Sequence, residues 1–131
     1  MRRLGIIALS ATALAGAALA DAAAPQFVTL QNSDMLTSNV VGLDIYDTAG
    51  HDIGKIQDVA FDGSKAVKGY VLSVGGFLGM GAHYVVVDTG SVAIKYDAAD
   101  KKWHANMDAT AQQLKAAPAF EYEGQWNANK S

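Results

Sequence analysis

Three histidines, His51, His83 and His104, and five closely spaced aspartates, Asp44, Asp47, Asp52, Asp58 and Asp62, hold most of the chemical potential of this 131-residue sequence. Imidazole and carboxylate groups ligate zinc and calcium and act as general acids and bases. Asp47, His51 and Asp52 fall in one predicted turn, and His83 opens a predicted strand. These four are the weak candidates for a metal site. Their spacing matches no compact zinc motif, and the D-x-D-x-D-G order of a calcium loop is absent. Carboxylates in such turns ordinarily cap backbone amides. The sequence therefore assigns no metal and no cofactor. Ser33, Ser38, Ser64, Ser73 and Ser91 lie in no nucleophile-elbow pattern, and the absence of cysteine excludes thiol catalysis and disulfides. No nucleophile, base and orienting group stand together, so an enzyme is not expected.

A second feature invites a chemical reading. Gly75, Gly76, Gly79 and Gly81 are laced with Phe77, Leu78 and Met80. Glycine loops can cradle phosphate, but a P-loop needs Lys and Ser or Thr after its last glycine, and here Ala82 and His83 follow. A dinucleotide loop needs a helix whose first amides meet the pyrophosphate, and here the strand-forming Tyr84-Val85-Val86-Val87 follows. These glycines are structural: they let the backbone turn where a Cβ would strain it. Phe77, Leu78 and Met80 then either cap one end of the domain or stand exposed as a contact patch for a partner. Trp126, an isolated aromatic near the end of the chain, faces the same two alternatives.

The elements that position these residues are mostly strands. Residues 40–47 alternate apolar and polar at period two. Residues 55–62 form a second strand whose step of three from Ile56 to Val59 predicts a bulge or sharp bend near Asp58. Gly50 and the Asp62-Gly63 pair mark turns. Residues 66–74 carry apolar groups on both sides, with Tyr70, Leu72 and Val74 opposite Val67 and Val71, as in a strand covered on both faces. Residues 83–88, 91–97 and 103–107 complete about six strands, with Trp103, Ala105 and Met107 inward and His104 outward. Thr110 and Gln113 have capping-box spacing ahead of one short helix. Leu114 is its apolar anchor and Pro118 its stop. Phe120 and Tyr122 share a side at strand spacing, so this tail is expected to pack back on the domain. The fold class is mainly β, a small antiparallel β-barrel with one short C-terminal helix.

The chain begins as an export signal does: Arg2-Arg3, then LGIIALSATALAGAALA, with Ala18 and Ala20 in A-x-A order. Residues 1–20 are read as a Sec-type signal peptide cleaved after Ala20. Residues 21–39 are a flexible lead with a short helical turn at 33–39, residues 40–123 the domain, and residues 124–131 a frayed tail. The net charge of −3 becomes more negative once both arginines leave with the signal. No basic cluster survives to neutralise phosphates, so nucleic acid is not expected as a partner. No membrane span is expected after cleavage, and the location is periplasmic or secreted.

Several of these segments resemble the PRC-barrel family, named for the H subunit of the photosynthetic reaction centre and including a module of ribosome maturation factors. The resemblance rests on Val41-Gly42 with Asp44-Ile45-Tyr46, Gly50 with Ile53-Gly54-Lys55-Ile56, Asp58-Val59, Asp62, and Gly75 to Gly81. The segment from Gln113 to Tyr122 is similar to the tail of exported single-domain members. Where such proteins often end the fourth strand in proline, Asp88-Thr89 stands here. The companion modules of the best-known members are not seen, so photosynthetic and ribosomal roles are not carried over. The resemblance implies a small barrel used as an adaptor for protein contacts, with no catalytic residue. The expectation is a non-enzymatic exported adaptor of the bacterial cell envelope. It binds a protein partner or itself through Phe77, Leu78, Met80 and Trp126. The alternative is a periplasmic binder of a small molecule or metal ion.

Overall fold

The computed structural model describes residues 24–75 and 81–127. The expected signal peptide and the loop positions Gly76, Phe77, Leu78, Gly79 and Met80 lie outside the described residues. Two units are distinguished, one ending at Asp34 and one running from Met35. In the first, residues 25–31 are exposed and without regular structure, followed by a turn in which Asp34 caps the Gln31 amide at 2.8 Å.

The second unit opens with a single helical turn, α1 (Thr37–Val40), whose start is held by the Leu36 amide donating to Asn39 Oδ1. The turn therefore sits later than its expected position and takes Val40 out of the first strand. Gly42, at φ 97°, releases the chain from it. Six strands follow: β1 (Asp44–Tyr46), β2 (Asp52–Phe61), β3 (Val67–Val74), β4 (His83–Asp88), β5 (Ala93–Asp97) and β6 (Lys102–Asn106). A short helix, α2 (Ala111–Ala116), comes last, and it shows the predicted capping box between Thr110 and Gln113.

The six strands form one sheet in the order β4-β3-β2-β1-β6-β5. Four of the five pairings are antiparallel and join strands consecutive in sequence, but β1 and β6 pair in parallel, Ile45 opposite Ala105 and Tyr46 opposite Asn106. The expectation of a wholly antiparallel barrel is corrected here. The cause lies between β4 and β5. A 3-10 turn (Thr89–Ser91) passes the chain across to the opposite edge without reversing it, so β5 and β4 run in the same sense and β6 comes back alongside β1. Period-two patterning marks faces and carries no strand direction, so the sequence could not reveal this.

That same link forces curvature. A flat six-stranded sheet separates its outer strands by about 24 Å. The five steps from Asp88 to Ala93 span at most about 18 Å. The sheet must roll, although no ladder joins β4 to β5 among the described residues. It is a rolled, open sheet; the closed barrel expected from the sequence is corrected accordingly.

The roll is built into β2. Ile53, Ile56 and Val59 are spaced three apart, and a strand of strict alternation would send every second one to solvent. Two register breaks prevent this. Ile45 faces Gly54 while Tyr46 faces Asp52, which leaves Ile53 as the extra residue. Ile56 faces Leu72 while Asp58 faces Val71, which leaves Gln57 extra. The second break is the bulge expected near Asp58. Each bulge bends the strand and adds twist, and each returns the next apolar side chain to the interior.

Inside, Ile45, Ile56, Leu72, Val74 and Val85 are fully buried, joined by Val40, Ile53, Tyr70, Val92, Ala105, Met107 and Leu114. Each fully buried aliphatic of this size contributes about 1.5–3 kcal/mol. Among the described residues no polar or charged residue is buried. The hairpin turns are held by carboxylates. Asp47 Oδ1 accepts from the Ala49 and His51 amides. Asp62 Oδ1 accepts from the Ser64 hydroxyl and from the Ser64 and Ala66 amides. These bonds favour the ionised forms and hold both carboxyls below their usual range, for Asp47 chiefly through the His51 amide and for Asp62 chiefly through the Ser64 hydroxyl.

Gly69 sets the spacing of β3 against β4. A Cβ there would collide with the backbone carbonyl of Val87, which cannot swing aside as a side chain can. Gly63 is open to solvent and has nothing near its Cβ position. Gly69→Ala should therefore cost about 1–3 kcal/mol of stability, and Gly63→Ala should lie within about 0.5 kcal/mol of wild type, both measured by urea unfolding.

Candidate functional site

The outer face of β3 and β4 is where the described structure departs most from a plain sheet. Alternation puts Val71 and Ser73 of β3 opposite Val86 and Tyr84 of β4 on the side away from the core. Asp58 of β2 faces Val71 on the same side. Val71 is only 4% exposed, yet it does not belong to the inner cluster. A second cover therefore lies over this face.

The chain after α2 supplies it. His83 Nε2 hydrogen-bonds the Ala117 carbonyl at 3.0 Å. The Phe120 amide donates to the Tyr84 carbonyl at 2.7 Å, the single rung of a would-be seventh strand. Tyr122 then lays its ring edge-on to Tyr84, centroids 5.3 Å apart, and its hydroxyl donates to Asp58 Oδ2 at 3.1 Å. Tyr84 is on β4 and Asp58 is two strands away on β2, so Tyr122 spans the position of Val71. Phe120 packs edge-on to Tyr122 at 4.9 Å and to Trp126 at 5.9 Å. Trp126 closes a 3-10 turn (Gly124–Trp126) and remains 59% exposed. Burial, then the negative charge of Asp58, push the Tyr122 phenol well above its ordinary pKa, because both oppose ionisation.

The strap is held by small terms. Each aromatic pair contributes about 0.5–1.5 kcal/mol, and the phenol–carboxylate bond, partly solvated, about as much again. That sum, about 2–6 kcal/mol, reaches only the low end of a typical domain stability of about 5–15 kcal/mol. Ties of this size are of the kind that local opening breaks without global unfolding.

The other sequence candidates go elsewhere. Asp47 and His51 pair across the first hairpin turn at 3.3 Å, beside the amides that Asp47 caps. Asp52 caps the Gly54 amide, and His83 is engaged by Ala117. Gly75 and Gly81 flank the apolar loop with φ of 75° and 71°, conformations that suit glycine. A histidine–carboxylate group not singled out by the sequence is Asp97, Asp100 and His104, whose ligand atoms lie within 4.8 Å of one another on the β5–β6 turn. There His104 Nε2 meets Asp100 Oδ2 at 2.7 Å, while Asp97 and Asp100 also cap the Ala99 and Lys102 amides. The D-x-x-D-x-x-x-H spacing across a hairpin was the available signal.

Grooves also mark the surface among the described residues. One, of about 350 Å³, is lined by Asp44, Asp52, Lys55, Ser73, Gly75 and Lys115 among others. In it Lys55 pairs with Asp44 at 3.2 Å. Another, of about 520 Å³, lies by Asp47, Asn106 and Asp108 at the ends of β1 and β6.

With this geometry in place, comparison with known families is informative. The PRC-barrel domain model matches residues 33–110, more than half of the sequence, and the chain belongs to that family. No curated protein matches it. PRC-barrel domains are generally non-catalytic, and membership suggests a protein-interaction module. The match stops at the N-cap of α2, so the strap lies outside the matched region.

The raised phenol of Tyr122 gives the strap a pH dependence. Tyr122 in the unfastened strap ionises near pH 10, whereas the fastened phenol resists. The folded pKa is the raised one, so the strap's stability is complete below about pH 10 and falls as pH rises beyond it. The difference in tyrosinate absorbance between the wild type and Tyr122→Phe should therefore develop only above the ordinary tyrosine range, and a difference already complete near pH 10 contradicts the fastened strap.

Proposed function

We propose that this protein is an exported, non-enzymatic interaction module of the bacterial cell envelope, an adaptor that engages a protein partner or a second copy of itself. The observation that supports this most is the division between inside and outside. The interior is filled mainly with aliphatic side chains, joined by Tyr70 and Met107, and the described residues bury no charged residue there. The surface, in contrast, carries an exposed indole at Trp126 beside stacked rings. Aromatic groups of this kind anchor protein contacts.

The contact surfaces are the apolar loop residues Phe77, Leu78 and Met80, and Trp126. Export follows from the arginine pair, the apolar run and the Ala18-x-Ala20 site. Among the described residues no helix is long and apolar enough to cross a membrane.

A second reading, a binder of a small molecule or ion, is favoured by one observation: the 350 Å³ groove gathers two carboxylates, two ammonium groups and the Ser73 hydroxyl. Native mass spectrometry separates the two. A stoichiometric added mass supports the binder, and a bare chain supports the adaptor.

Affinity capture from envelope extract should recover a saturable partner with the wild type. Recovery should fall at least tenfold with Phe77→Ser/Leu78→Ser or with Trp126→Ala, provided circular dichroism shows a folded chain. Undiminished capture by both variants contradicts these surfaces. The purified mature protein should begin at Asp21 by N-terminal mass analysis, and retention of residues 1–20 in the envelope fraction contradicts cleavage.

A further inference from the structure

The strap shows what kind of ligand the outer face accepts. Tyr84 gives its carbonyl to the Phe120 amide, so its backbone points away from β3. Antiparallel ladders alternate paired and outward-facing residues. Val86, two residues along, therefore presents its amide and carbonyl on the same open side. β4 is the last strand of the sheet on that edge, and the Val86 side chain is exposed. The strap uses one rung of this edge, and among the described residues nothing pairs with the next. Its specificity lies in two rings at i and i+2: Phe120, and Tyr122 with its hydroxyl on Asp58. Glu121 between them is exposed and needs nothing from the site.

We propose that the outer face of β2, β3 and β4 is a binding site for an extended peptide segment carrying an aromatic-x-tyrosine pair, filled in cis by the chain's own Phe120-Glu121-Tyr122. A partner's segment adds to the β4 edge through Tyr84 and Val86, lays its tyrosine over Val71 and donates its hydroxyl to Asp58. It competes with the strap for the same atoms, so the strap acts as an internal inhibitor of the site. Adding a strand to a free sheet edge is an established mode of peptide recognition. The weak ties of the strap set the level of competition.

This deepens the interaction-module reading by naming the partner's chemistry, and its test does not depend on the apolar loop. A fluorescein-labelled peptide, Ala-Pro-Ala-Phe-Glu-Tyr-Glu-Gly, is titrated by fluorescence anisotropy into the full mature chain and into Phe120→Ala/Tyr122→Ala. Circular dichroism reports folding. The expected result is saturable binding to the double variant, at least tenfold tighter than to the wild type, and lost when the peptide's Phe and Tyr are replaced by Ser. Should the double variant not fold, Tyr122→Phe, which removes only the hydroxyl bond, should still bind the peptide more tightly than wild type. Absence of binding to a folded variant, or equal affinity for wild type and variant, overturns the proposal. Neither result bears on envelope capture through Phe77 and Leu78, so the two readings fail separately.

Discussion

A link of four residues between β4 and β5 governs this molecule. It ties together strands at opposite edges of a six-stranded sheet, too far apart in any flat arrangement for so short a chain to span. The sheet rolls, and one face becomes an interior. Ile45, Ile56, Leu72, Val74 and Val85 fill it to the exclusion of water. Among the described residues this interior is filled by side chains.

The outside is shaped by the same constraint. Rolling demands bends, and β2 provides them with bulges at Ile53 and Gln57. Close approach between β3 and β4 demands a residue without a side chain, and Gly69 provides it. The roll leaves a free edge at β4, an exposed ladder that proteins normally cover. Here the cover is a strap of aromatic residues that follows the family-matched region. Its hold is a sum of weak contacts over Val71, with one hydroxyl fixed to Asp58.

Much of this was legible in the sequence because its signals are local. Six strands, the turn carboxylates, the Thr110–Gln113 capping box and the burial of Leu114, Ala105 and Met107 all follow from spacing within a few residues, whereas Trp103, expected inward with them, lies half-buried against Tyr96 outside the core cluster. The bulge at Gln57 was visible in the step from Ile56 to Val59. The same step from Ile53 to Ile56 gave an equal signal for the other bulge, and strand boundaries drawn to start at Lys55 hid it. The parallel seam between β1 and β6 was not legible, because patterning records faces and no direction. Nor was the bond between Tyr122 and Asp58, whose partners lie 64 residues apart and are joined only by the fold. Phe120 and Tyr122 could be expected to pack back, since they share a side, but not to cover Val71. The pairing of His83 with Ala117 likewise depends on where Pro118 ends the helix.

The seam is the most direct point of test, because the roll, the filled interior and the free β4 edge all require it. Backbone nuclear Overhauser effects in the isotope-labelled mature protein resolve strand direction. The account predicts the interstrand pattern of a parallel pair between β1 and β6, with Ile45 beside Ala105 and Tyr46 beside Asn106. An antiparallel pattern there, or cross-strand contacts placing β5 and β6 away from β1, would contradict it.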